Sequence, residues 1–131
     1  MDRVLDRLWI GSARDLSAPL HALGFSAVLD LRDGQHPAPD IAVHRVENRD
    51  GDPWSKKQVV DAFEFVHRHI SRGRVLVACA AGMSRSVCMV LGYLVRCGMS
   101  EVEAWELVKR ARAVAAPAPK MLESVLLAVR S

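Results

Sequence analysis

Residues 74–86 read Arg74-Val75-Leu76-Val77-Ala78-Cys79-Ala80-Ala81-Gly82-Met83-Ser84-Arg85-Ser86, and residues 87–97 continue VCMVLGYLVRC. The apolar run at 74–78 predicts a buried strand. The stretch 87–97 is apolar almost all round and predicts a buried helix. Between them lies a tight loop containing Gly82. A strand, a tight loop and a helix start direct several backbone N–H groups at one spot, and the helix dipole adds partial positive charge there. Such a loop is an anion site. A cysteine at its mouth is expected to be held as thiolate, the nucleophilic form.

Working outward, residues 4–5 and 8–11 read as short strands, and residues 15–23 as a short helix capped by Gly24. Residues 27–31 form a buried strand closed by the turn pair Asp33-Gly34, residues 34–40 a loop, and residues 41–46 a further strand. Asn48-Arg49-Asp50-Gly51-Asp52-Pro53 is a second polar loop. Ser55 and Gln58 have capping-box spacing, with Trp54 and Val59 placed as a hydrophobic staple. The helix they open carries Val59, Phe63, Val66 and Ile70 on one stripe. Ser100 and Glu103 start another helix, running to about Ala113, and Pro117 and Pro119 precede a last one from about Lys120 to Arg130. Strands alternate with helices in the middle and helices gather at the end. The pattern predicts a single-domain α/β fold over residues 1–131, with a central, mainly parallel, twisted sheet of about four to five strands flanked by helices. Ligands of such sheets sit beyond the carboxyl ends of the strands, where Cys79 falls.

The chain has 131 residues, 50% hydrophobic and 25% charged, enough for one core without staples. No apolar run reaches the roughly 18 residues of a membrane span, and the start of the chain lacks a signal-peptide hydrophobic region. Three cysteines without paired spacing fit a reducing compartment, so the expected location is cytoplasmic. A net charge of +3 with scattered Lys and Arg and 5% aromatic residues argues against nucleic acid as a partner. No His, Cys, Asp or Glu grouping has metal-ligand spacing; His67 and His69 lie on different sides of their helix, and neither a metal nor another cofactor is expected. Cys88 and Cys97 read as core residues of the helix after the loop. Oligomeric state is not legible.

Cys-x5-Arg-Ser with Gly82 at the third place resembles the signature loop of the cysteine-dependent protein tyrosine phosphatases, and Cys79 to Ser86 as a whole is most similar to the dual-specificity branch. The opening Leu8-Trp9-Ile10-Gly11-Ser12 and the run Val28-Leu29-Asp30-Leu31-Arg32 extend the likeness over nearly the full chain, more loosely. The resemblance implies Cys79 as nucleophile, Arg85 as the planar fork on two phosphoryl oxygens, and Ser86 as hydrogen-bond donor to the sulfur. Ala80, Ala81, Gly82, Met83, Ser84 and Arg85 would then surround the phosphate. It also implies a general acid on the loop before the helix that precedes the Cys79 strand. Asp50, followed by a Gly51 hinge, is preferred; Asp52, which precedes Pro53 and serves as a turn former, is the alternative. Two positions depart from the family pattern. Ala78 stands where a histidine is usual and Ala118 where an asparagine is frequent, so the thiolate should be less favoured than in most relatives.

The implied activity is metal-independent hydrolysis of phosphomonoesters through a phosphocysteine. The neutral Ala80, Ala81 and Met83 favour phosphoproteins, phosphotyrosine first with phosphoserine and phosphothreonine next, over inositol lipids whose extra phosphates call for lysines. The alternatives are a weak or inactive phosphopeptide-binding module and a phosphatase of a non-protein ester.

Overall fold

A computed structural model describes residues 1–34 and 39–130. Five strands, β1 (Asp2–Leu5), β2 (Leu8–Gly11), β3 (Phe25–Asp30), β4 (Ala42–Arg45) and β5 (Arg74–Ala78), form one sheet in the order β1-β2-β5-β3-β4. β1 and β2 pair antiparallel, whereas β2–β5, β5–β3 and β3–β4 are all parallel. The helices are α1 (Lys56–Ile70), α2 (Arg85–Arg96), α3 (Glu101–Ala111) and α4 (Pro119–Arg130).

Successive side chains of a strand point to opposite faces, and β5 sorts the two cores accordingly. Val75, Val77 and Cys79 join a large cluster to which all four helices contribute, through Val59, Phe63 and Val66, then Val87 to Leu91, then Ala104 and Val108, then Met121 and Val125. Leu76 and Ala78 face the other way, into a smaller cluster with Leu20, Phe25 and Val28. Cys79 therefore continues the strand alternation onto the helical side. α1 and α3 begin with full capping boxes, Ser55 with Gln58 and Ser100 with Glu103, as the sequence indicates. α2 and α4 pack so closely that a Cβ on Gly92 would run into Val125.

Four local expectations need correction. Residues 15–23 are not one α-helix: a 3-10 helix covers Ala13–Ser17, and a separate turn follows. Asp15 Oδ2 accepts from the Ser12 N–H at 2.8 Å and its own carbonyl from the Ala18 N–H at 3.1 Å, which closes a tight turn early. Pro19 brings no N–H to continue it. Gly24, at φ +88°, does end the second turn, where the Phe25 N–H returns to Leu20 O at 3.0 Å. Cys97 is not a core residue: it is the exposed C-terminal cap of α2, beside Gly98 at φ +109°. α2 begins at Arg85 rather than 87, and α3 ends at Ala111 rather than near 113. The middle of the loop read at 34–40 lies outside the described residues.

Candidate active site

β5 delivers Cys79 to the carboxyl end of the sheet, and α2 starts six residues later. Cys79 is 2% exposed, with Sγ 3.3 Å from Ser86 Oγ. The loop between them is held from outside by its carbonyls. Ala80 O accepts from the Ala13 N–H at 3.0 Å, and Met83 O from the Ala116 N–H at 2.7 Å. Arg112 takes the two in between, donating from Nε to Gly82 O at 2.6 Å and from Nη2 to Ala81 O at 3.3 Å. Across a trans peptide the C=O and the next N–H point in opposite directions. The N–H groups of Ala81, Gly82, Met83 and Ser84 are thus turned away from those four anchors. No cis peptide interrupts the pattern.

Gly82 is required twice over. Its φ of +68° belongs to the left-handed region, and a Cβ there would lie 2.8 Å from Gly11 O. Ser84, the residue before α2, makes no side-chain cap, because its Oγ accepts from the Ala118 N–H at 3.0 Å. The first turn of α2 also carries no acidic side chain. Its N–H groups, which a helix start always leaves without intrahelical partners, stay available to an anion.

Arg85, 6% exposed, donates from Nη1 to Asp33 Oδ1 and, at 2.9 Å, to Asn48 O. Its Nε is buried without a partner among the described residues. Asp33 reads only as a turn residue and Arg112 carries no signal of its own; nothing local in the sequence marks either as part of the site. An acidic residue just past a parallel strand is the one signal that could have found Asp33. Beneath Asp33, the end of β3 is fixed by Asp30, which receives Arg32 Nε and Nη2 at 2.9 Å each. Burial alone would raise the Asp30 carboxyl, but hydrogen bonds from Arg32 and the charges of Arg32 and Arg45 outweigh it and hold the group below the usual carboxylate range.

A cleft of about 330 Å³ opens over the loop, lined by Asp50, Gly51, Cys79, Ala80, Ala81, Met83, Ser84, Arg85, Ala116 and Ala118. The structure thus brings Asp50 to the same cleft as Cys79 and Arg85, while Asp52 is not part of its lining. Ala118 serves through its backbone, with N–H on Ser84 Oγ and carbonyl accepting from Cys88 Sγ at 3.8 Å. Burial pushes the Cys88 thiol up to about 12. No group of three His, Cys, Asp or Glu side chains among the described residues could hold a metal.

A Cys-x5-Arg loop at the carboxyl end of a parallel strand, with the carbonyls of Ala80 to Met83 held from outside, is the setting in which the likeness to known proteins falls. The family model described as "Dual specificity phosphatase, catalytic domain" matches residues 8–130. The chain belongs to that family. Human dual specificity protein phosphatase 9 is 34% identical over 128 residues, covering 88% of this chain and 32% of its own. Human dual specificity protein phosphatase 1 is 31% identical over 124 residues, covering 87% and 33%. The chain therefore spans about a third of the length of these relatives. Among solved structures, human DUSP28 superposes with a TM-score of 0.83 at 29% identity, over 99% of this chain and 96% of that one. A mouse putative dual specificity phosphatase complexed with zinc tungstate gives 0.81 at 28% identity, over 98% and 86%.

Ala78, which stands where the resemblance of the sequence implies a histidine, is fully buried against Leu20, Phe25, Val28 and Leu76. The sheet there has an apolar filler. Arg112 braces the loop through Gly82 O and Ala81 O, and Asp2 Oδ2 accepts from its Nη1 at 2.8 Å. No helix of the described residues is long and apolar enough to cross a membrane.

Proposed function

We propose that this chain is a single catalytic domain that hydrolyses phosphomonoesters of proteins through a phosphocysteine on Cys79. The outward-held carbonyls of Ala80 to Met83 carry the reading. They leave a ring of N–H donors, continued by the first turn of α2, around the space above Cys79 Sγ. Such donors neutralise equatorial phosphoryl oxygens without a metal and favour a thiolate.

In the first step the Cys79 thiolate attacks phosphorus in line with the ester oxygen. The S–P bond forms, the P–O bond breaks, and Asp50 gives its proton to the departing oxygen. Arg85, whose buried Nε has no partner among the described residues, holds the phosphoryl group as it moves. In the second step Asp50 takes a proton from water, the oxygen attacks phosphorus, and Cys79 leaves as thiolate with Ser86 Oγ, 3.3 Å away, donating to it. Asp50 is preferred to Asp52 because it alone of the two lines the cleft. The neutral rim of Ala80, Ala81, Met83, Ala116 and Ala118 supports phosphotyrosine peptides as substrates, with phosphoserine and phosphothreonine next. Three free cysteines support a reducing, cytoplasmic setting.

Ala78 favours a second reading, a phosphopeptide-binding module without turnover. Hydrolysis of p-nitrophenyl phosphate in EDTA decides between them. Turnover that vanadate blocks and Cys79→Ser abolishes supports the enzyme. Phosphopeptide binding with no turnover supports the module.

A further inference from the structure

The candidate acid and the nucleophile lie on segments distant in sequence, and α4 with its lead-in touches both. On the phosphate-loop side, Ala116 and Ala118 donate their N–H groups to Met83 O and Ser84 Oγ. On the acid side, the Gly51 N–H donates to Met121 Sδ at 3.1 Å, and the Trp54 N–H donates to Ser124 Oγ at 3.1 Å. Ser124 is itself fixed, donating from Oγ to Met121 O at 2.7 Å. The 48–54 loop is stitched into a unit by Asn48 Nδ2, which donates to Asp52 O at 2.9 Å and Pro53 O at 3.2 Å.

We propose that Met121 and Ser124 are positioning residues for the general acid, clamping the 48–54 loop to α4 so that Asp50 stands at a fixed distance from Cys79. The inference rests on the reading of Asp50 as that acid. Asp50 is exposed and precedes Gly51 at φ +98°, and no side-chain hydrogen bond holds it among the described residues. The neighbouring N–H is fixed, by the sulfur of a fully buried methionine. Three residues on, the buried Trp54 repeats the attachment one helical turn further along α4. Two attachments in the same register restrain rotation of the loop as well as its distance. Proton transfer requires the acid within about 2.6–3.2 Å of the leaving oxygen, so a shift on the order of 1 Å is enough to remove it. A thioether is a weak acceptor, which makes the Gly51 contact a positional device more than a source of stability.

The test is the dependence of kcat/KM on leaving-group basicity, measured with aryl phosphates from acidic nitrophenols to phenol. Phenolate, with a pKa of about 10, needs the proton far more than nitrophenolate does. Met121→Leu keeps volume and removes the sulfur; Ser124→Ala removes one oxygen. Both are expected to lower kcat/KM for phenyl phosphate about tenfold more than for the nitrophenyl ester, a fraction of the roughly 10²–10⁴-fold that general acids supply. Asp50→Asn should tilt the line the same way and further. A parallel loss across all leaving groups in both variants, with Asp50→Asn still tilted, overturns the positioning role and leaves Asp50 as the acid. A parallel loss in Asp50→Asn itself removes Asp50 as the acid and overturns both readings. Should a thermal melt show Met121→Leu unfolded, Ser124→Ala decides alone.

Discussion

Arg85 reaches Asp33 with the same guanidinium nitrogen that donates to Asn48 O. Asp33 follows β3, Arg85 opens α2, and 52 positions separate them in the chain. The pairing sets the plane of the guanidinium before any phosphate arrives, and it leaves Nε without a partner among the described residues. Asp33→Asn should therefore lower kcat/KM about tenfold, the loss expected for one charge-assisted hydrogen bond of roughly 1.5–3 kcal/mol that is partly exposed. Phosphate and vanadate inhibition should weaken in parallel. Tighter phosphate binding by Asp33→Asn would show instead that Asp33 competes for the arginine.

Arg112 holds two of the four loop carbonyls, and Lys cannot reproduce its fork. Arg112→Lys should lower kcat/KM by about 10²-fold, comparable with removal of an oxyanion-stabilising donor. Asp2→Asn removes the partner of that fork at a site where the carboxylate is 44% exposed, so stability should change by only about 0–1 kcal/mol. Steady-state kinetics and urea titrations check both. Near-parental turnover in Arg112→Lys would mean that the loop holds its shape without the brace.

Stability should fall at both ends of the pH scale for identifiable reasons. Asp30 is held below its ordinary carboxylate value, so its contribution is complete above about pH 3.9, the unfolded value, and is lost as pH falls through the folded one. Cys88 is raised to about 12, so its contribution is complete below about pH 8.5 and is lost as pH rises from there towards 12. Unfolding free energies of Asp30→Asn and Cys88→Ala across pH should be flatter than the parent on the acid and alkaline sides respectively. Equal slopes in parent and variant would remove the assigned group from that limb.

The same burial sets an order of thiol reactivity. Iodoacetamide at neutral pH should modify exposed Cys97 and spare Cys88 until the protein unfolds, and phosphate should protect Cys79. Peptide mapping by mass spectrometry reads all three sites at once. Early labelling of Cys88 would contradict its place beneath the cleft.

What the sequence disclosed follows from how local each signal is. The strand, loop and helix around Cys79 are contiguous, so apolar pattern and motif spacing together revealed them. The two capping boxes were equally local. At residues 15–23 the Gly24 cap suggests a single helix, while the Asp15 carboxylate and Pro19 close the first turn early. Cys97 misled because helical periodicity does not say where the chain turns away, which here is at Gly98. Asp33 and Arg112 were invisible for a different reason: their roles exist only through partners 52 and 30 positions distant. Which of the neighbouring Asp50 and Asp52 lines the cleft, here Asp50, is a matter of loop geometry that composition cannot encode.

The proposed chemistry passes through a covalent phosphoenzyme on Cys79. Its most direct test is an acid quench of the protein during turnover of a phosphotyrosine peptide in EDTA, followed by peptide mass spectrometry. Phosphate is expected on the peptide containing Cys79, and neither phosphate nor turnover in Cys79→Ser. Turnover that persists in Cys79→Ser, or phosphate found on another residue, would contradict it.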